Sequence, residues 1–221
     1  KPLLGFAFGS SLISIFAPTP HDVWDAYLDI YGLEGVFPVA DTAIGRLAAI
    51  ASEEILYPEI ARCHAIRGAE VFLHSTSEVA SPNLTIKQIA RRARALENLA
   101  YVVSANNARL TGIDVPVDSS NGYSDIIDYH GNQMILAGGG ESSVANVFLD
   151  MAGLRAYRRR PAMANMLSRQ ALEMFADSYA KADLRRRNGL LDGGKIRIPD
   201  RSYFQQRQAD AIQRMVERGI L

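Results

Sequence analysis

From about residue 36 the apolar positions alternate between short strand-like runs and helical stripes. Residues 37–42 lead into the hairpin-like break Ala43-Ile44-Gly45-Arg46, and residues 47–51 form a small, apolar run suited to a buried strand. The acidic turn Ser52-Glu53-Glu54 follows. Pro58 then stands where a first helical turn accepts proline, Ile60, Ala61, His64 and Ala65 have helical spacing, and Gly68 is placed to stop the helix. Residues 71–73 read as the next strand. Thr85 and Gln88 have the spacing of a capping box, and Ile86, Ile89, Ala90, Ala93 and Leu96 mark the apolar face of the helix they open, with Arg91, Arg92 and Arg94 mostly off that stripe. Residues 101–103 are β-branched and aromatic. Residues 124–128 alternate into the turn Tyr129-His130-Gly131-Asn132, 133–137 form the returning strand, and 144–149 add another. Strand and helix alternate first and hairpins follow, which predicts a mixed sheet in a layered α/β or α+β protein.

The tail has another character. Residues 163–179 read as an amphipathic helix, 188–200 as a glycine-rich irregular stretch, and 203–218 as a polar helix whose apolar contacts are Ala211, Ile212, Met215 and Val216. A long tail with so thin an apolar stripe is expected to pack on another surface, such as a second subunit.

Composition narrows the class. The chain has 221 residues, 48% hydrophobic and 22% charged, the balance of a globular protein with one domain and an appendage. The long run with few charges near the start is broken by Gly5, Gly9 and Pro18, so no membrane span is expected. The single cysteine, Cys63, leaves no internal disulfide and no paired-cysteine zinc site, which points to a reducing compartment, the cytoplasm by default. The formal net charge is zero, yet residues 151–221 carry 15 basic and 7 acidic side chains. No aromatic interleaving accompanies that basic excess, so nucleic acid is not the expected partner. The tail is read as lying against an acidic body, its own or a partner subunit's. The opening lysine carries no cleavable signal pattern, and sequence upstream of it is expected.

Several chemistries have no motif here. There is no Gly-x-Ser-x-Gly elbow and no Gly-x-x-x-x-Gly-Lys phosphate loop, and Gly138-Gly139-Gly140 lacks dinucleotide-binding spacing. His21, His64, His74 and His130 show no paired ligand spacing, so neither a metal site nor a serine–histidine triad is read from them. The informative segment is 45–70. A small residue that leaves a buried strand and at once enters a helix sits on a sharp turn with its side chain exposed at the strand's carboxyl end, which is how a nucleophile is presented. Ser52 has that place.

Here the sequence resembles the nitrilase superfamily, the carbon-nitrogen hydrolases. Gly45-Arg46-Leu47, Glu54, Tyr57-Pro58-Glu59, Arg62 and Gly68-Ala69 match the family's nucleophile motif in register. Residues 94–103, Arg94-Ala95-Leu96-Glu97-Asn98 through the strand at Val103, look like its helix-to-strand block, and Ser124-Asp125-Ile126-Ile127-Asp128-Tyr129-His130-Gly131 looks like its hairpin. The match thins beyond about residue 160.

The resemblance implies a four-layer α-β-β-α sandwich with mixed sheets, residues 1–154 being the C-terminal part of that carbon-nitrogen hydrolase domain, and a C-terminal extension, 155–221, packing across a subunit interface in a homodimer or higher homo-oligomer. It also implies hydrolysis of a small amide, nitrile or N-carbamoyl compound through a cysteine nucleophile, a glutamate base and a lysine, with no cofactor and no metal. Ser52 occupies the nucleophile position. A hydroxyl needs a stronger base than a thiol does. Serine there is therefore compatible with a nucleophile beside a well-placed base, with a replacement of cysteine that traps a complex, with a lapsed site kept as a binding or scaffold module, or with a structural turn hydroxyl. Lys1 and Lys87 are the only lysines before Lys181. Lys1 stands on the side of Ser52 where the family has its lysine and is carried over as the second catalytic residue. Glu53 and Glu54 could polarise the site or make a helix N-terminal interaction. His74, Ser75 and Thr76 close a strand where family members line the substrate pocket, His74 being equally readable as a structural histidine. Asn106 could bond substrate or only a loop. Glu59 and Arg62 could pair along their helix, and Cys63 is read as a small core-facing residue.

Overall fold

The computed structural model describes residues 12–14, 17–120 and 122–221. In chain order its elements are α1 (Trp24–Tyr31), β1 (Ala40–Thr42), β2 (Gly45–Ala51), α2 (Pro58–Ile66), β3 (Val71–Thr76), α3 (Ile86–Asn98), β4 (Tyr101–Asn106), β5 (Asp125–Ile127), β6 (Gln133–Leu136), α4 (Met151–Arg159), α5 (Glu173–Ala182), the short strands β7 (Leu191–Asp192) and β8 (Lys195–Ile196), and α6 (Arg201–Glu217). They group into two units, one containing Phe37–Arg169 and the other Ser10–Val36 with Gln170–Leu221.

The first unit is a six-stranded mixed sheet in sequential order, β1 to β6. The centre is parallel: β2 pairs with β3 and β3 with β4, while β1, β5 and β6 add antiparallel edges. Parallel pairing needs a crossover, and α2 and α3 supply the two. Side chains alternate across the sheet as the two-residue strand period requires. Ala48, Ile50, Phe72, Val102 and Ile127 join one buried cluster with Ala61 and Ala65 of α2 and Ala90 and Ala95 of α3. Leu47, Val71, Leu73, Tyr101 and Val103 point to the other face, where Leu154 of α4 packs. Arg155 of α4 forks onto Glu70 at 2.6 and 2.9 Å, and Arg158 donates to the carbonyls of Ala69 and Leu99. These bonds hold α4 under the amino-terminal ends of the strands.

Local devices read from the sequence form as expected. Thr85 Oγ1 accepts from the Gln88 N–H at 3.2 Å and Gln88 Oε1 accepts from the Thr85 N–H at 2.9 Å, closing both halves of the capping box. Gly68 ends α2 at φ +94°, and a Cβ there would lie 1.9 Å from the Arg46 guanidinium, which donates to the Arg67 carbonyl. Only glycine meets both demands.

Three expectations change. Residues 144–149 form no strand: Phe148 is fully exposed, and the segment runs unpaired to α4. The helix expected over 163–179 begins only at Glu173, because Asn165 turns the preceding chain, donating to the Arg158 and Arg160 carbonyls and accepting from Ser168. The apolar stripe of α3 is split: Ile86, Ile89 and Leu96 are exposed and Ala90 is in the core, whereas Arg91 is fully buried and Arg94 nearly so. Hydrophobic periodicity misses that the buried face carries Arg91 and Arg94 beside Ala90 and Ala95, because these arginines find carboxylates and carbonyls inside.

In the second unit the irregular stretch contains the hairpin β7–β8, turned at Gly193 and Gly194. Buried Asp22 organises its surroundings, accepting from Arg207 at 2.5 Å, Tyr203 at 3.0 Å and Thr19. Among the described residues no helix is long and apolar enough to cross a membrane, and no cluster of three or more metal-ligating side chains occurs.

Candidate active site

Ser52 leaves β2 with φ at +47°, in the left-handed region where a Cβ costs about 1–2 kcal/mol. A 3-10 turn, Ser52–Leu56, starts there. Three sets of bonds hold the conformation. Glu54 folds back so that its Oε2 accepts from the Ala51 N–H at 2.7 Å. Arg94 donates to the carbonyls of Ile55 and Leu56, each at 3.0 Å, tying the turn's end to α3. His74 Nε2 meets the Ser52 carbonyl at 2.9 Å.

The tautomer of His74 follows from its neighbours. The Ser52 carbonyl can only accept, so the neutral ring carries its proton on Nε2, and Nδ1 accepts from the Ser104 hydroxyl at 2.8 Å while Ser104 Oγ accepts from Arg91 Nη1 at 2.9 Å. Register alignment places Ile50, His74 and Ser104 in one row across β2, β3 and β4, which is why the three meet. Arg91 anchors the row from α3. It also donates to Asp125 at 2.6 Å and to Glu78 at 2.8 Å, and its Nε reaches the Lys87 carbonyl at 3.3 Å. Thr85 donates to Glu78 as well. Burial pushes Asp125 above the usual carboxylate range, with Arg91 opposing.

Burial holds His74 down to about 4, with Arg91 and Lys87 adding to the effect and the Ser52 carbonyl opposing it. His64, buried on α2 edge-on to Phe37, is likewise held at about 4, chiefly by burial. In both cases the unfolded chain takes up protons below about pH 6.5 that the folded chain does not, so stability falls as pH drops from there towards 4. A lower melting temperature at pH 4.5 than at pH 7 is expected, with His74→Gln and His64→Gln reducing the difference.

The hydroxyl of Ser52 itself faces α3. Lys87 Nζ lies 3.0 Å from Ser52 Oγ and 3.1 Å from Thr76 Oγ1. Thr76 is buried at the end of β3, and Lys87 lies in the first turn of α3, fixed by the capping box two residues earlier. Hydroxyl, amine and second hydroxyl thus meet at the carboxyl ends of the parallel strands, the usual place for a ligand in such sheets. An amine in hydrogen-bond contact with a strained serine can take the serine's proton or oppose negative charge developing beside it.

The residues singled out from sequence are placed unevenly. Lys1 lies outside the described residues. Glu53 is half-buried in the turn, and Glu54 is buried and directed at backbone. His74 and Thr76 share the helix-facing side, His74 holding the elbow and Thr76 holding Lys87, whereas Ser75 pairs with Ala51 and is exposed on the opposite side. Asn106 serves a loop, accepting from the Glu78 N–H and donating to the Gly122 carbonyl. Cys63 is half-buried on α2, and burial pushes its thiol up. Sequence reasoning did not bring Lys87 to Ser52. The signal available was the capping box, which fixes Lys87 in the first helical turn; which strand end that turn overhangs depends on sheet order.

Parts of the chain are similar to known proteins. A nitrilase and fragile histidine triad fusion protein of Caenorhabditis elegans is 32% identical over 93 residues, 42% of this chain and 20% of that protein. A probable nitrilase of Schizosaccharomyces pombe is 33% identical over 70 residues, 32% of this chain and 25% of the other. The matched stretches thus span only a fifth to a quarter of these curated relatives. Among solved structures, a carbon-nitrogen hydrolase from Helicobacter pylori superposes with a TM-score of 0.53 at 17% identity, over 64% of this chain and 51% of that one. An amidase of the nitrilase superfamily from Nesterenkonia gives 0.52 at 22% identity, over 64% and 47%. These likenesses show a nitrilase-like α/β fold. The carbon-nitrogen hydrolase family model matches residues 10–159, which takes in the elbow, both crossover helices and every strand of the six-stranded sheet, and the chain belongs to that family.

Proposed function

We propose that the protein hydrolyses a non-peptide carbon–nitrogen bond of a small amide, nitrile or N-carbamoyl compound, with Ser52 in the place of the family's cysteine and attacking the substrate carbon. One observation carries the reading: a serine held at φ +47° at the end of a buried strand, its hydroxyl 3.0 Å from a lysine amine. A turn hydroxyl with only a structural part to play needs neither the strain nor the amine. The relatives, a probable nitrilase and an amidase, agree with the bond type. The basic excess of residues 151–221 fits a tail that meets an acidic surface in a homo-oligomer, and the single cysteine fits a reducing compartment.

Ammonia release by the full chain from short amides, nitriles and N-carbamoyl amino acids tests the reading. Turnover is expected for at least one class, together with an acyl adduct on the peptide containing Ser52 after rapid acid quench. Absence of both across the panel would overturn it in favour of a binding or scaffold module on the same fold.

A further inference from the structure

We propose that Lys87, in its free-amine form, is the general base that activates Ser52 and the acid that releases the leaving amine. The inference rests on the reading of Ser52 as nucleophile. It supplies the strong, close base that a hydroxyl requires and a thiol does not.

Other titratable groups around the elbow are committed elsewhere. His74 spends both ring nitrogens, one on Ser104 and one on the Ser52 carbonyl rather than its hydroxyl. Glu54 is turned to the Ala51 N–H. Glu78, from the chain after β3, and Asp125, from β5, are paired with Arg91. Glu53 is half-buried in the turn, and among the described hydrogen bonds none joins it to Ser52 Oγ. Of these groups, Lys87 is the one that reaches Ser52 Oγ. Its position is fixed at both ends: Arg91 Nε holds its carbonyl, and Thr76 Oγ1 accepts from its amine. Among the described residues it forms no ion pair with a carboxylate, and it sits in the first turn of α3.

The steps balance as follows. The Ser52 Oγ–H proton passes to Lys87 Nζ as Oγ bonds to the amide carbon. The tetrahedral adduct then breaks its C–N bond, and the Lys87 ammonium returns that proton to the departing nitrogen. Water attacks the resulting ester, giving a proton to Lys87 Nζ. The ester C–O bond breaks, Ser52 recovers a proton from Lys87, and the acid leaves. The sum is amide plus water giving acid plus amine.

The test is pre-steady-state acylation of the full chain by p-nitrophenyl acetate, read by p-nitrophenolate release, with the adduct mapped by mass spectrometry to the peptide containing Ser52. The rate in the unaltered protein is expected to rise with pH to a plateau. Lys87→Arg puts a permanently protonated side chain there that cannot accept the proton, and Lys87→Ala removes the amine; both are expected to slow acylation at least about 100-fold. Added methylamine is expected to restore part of the rate in Lys87→Ala only, a response that a misfolded variant would not give. Acylation of Ser52 in Lys87→Arg at the unaltered rate would overturn Lys87 as the base while leaving Ser52 the nucleophile. No acyl group on Ser52 in the unaltered protein would overturn the reading of Ser52 and the base with it.

Discussion

Ser52→Ala is expected to lower ammonia release on the best substrate by about four to six orders of magnitude, the loss seen when a covalent nucleophile is removed from a serine hydrolase. Alanine keeps the Cβ, so the backbone at φ +47° carries the same strain in both proteins. The bonds that hold the elbow come from Glu54, His74 and Arg94 and do not use the Ser52 hydroxyl. Melting temperature should therefore stay nearly unchanged while turnover disappears. Ser52→Cys is the informative companion. Its thiol ionises far more readily than a hydroxyl, so it should retain turnover and depend less on Lys87. A Ser52→Ala protein that still released ammonia at a tenth of the original rate would mean that another group attacks the substrate.

The largest loss of stability is expected from Arg91→Leu, about 3–5 kcal/mol in urea unfolding at pH 7. Arg91 is fully buried and carries two carboxylates, Glu78 and Asp125, together with the Ser104 hydroxyl. Leucine fills much of the volume but leaves both carboxylates in the interior without their cation, and that uncompensated charge is the main cost. Two further results separate this cause from lost packing. Asp125 already has its proton affinity raised by burial, so the folded variant binds protons more readily than the unfolded one. Stability lost through that group is then recovered as pH falls, and the deficit of Arg91→Leu should shrink between pH 7 and pH 5. Replacing Glu78 and Asp125 as well, by Gln and Asn, should restore more than half of the loss. A deficit independent of pH and of the second substitutions would point to packing instead.

The same substitution reaches the site. Arg91 holds the Lys87 carbonyl and, through Ser104 and His74, the Ser52 carbonyl. One buried guanidinium thus positions both partners of the 3.0 Å contact. The arginine that reads from sequence as the polar side of an amphipathic helix is the post on which the elbow and the lysine are mounted.

What the sequence by itself determined is made within a few residues or repeats with a fixed period. The capping box at Thr85 and Gln88 closes across three residues, Pro58 opens α2, and Gly68 ends it where only glycine fits. The apolar runs at 47–51, 71–73 and 101–103 are strands because buried parallel strands must be apolar on both faces. The presentation of Ser52 is also local, a small residue between a strand and a turn. The tertiary structure decided what joins positions far apart in the chain. Lys87 meets Ser52 across 35 residues because β2 and β3 are parallel neighbours and α3 caps their carboxyl ends. Periodicity showed that α3 has two faces but not that arginines share the inner one with Ala90 and Ala95, since the carboxylates and carbonyls that offset the cost of burying them come from distant parts of the chain. Whether residues 144–149 pair was also decided in three dimensions: the apolar run reads as a strand, yet Val144 and Phe148 stay exposed and the segment unpaired.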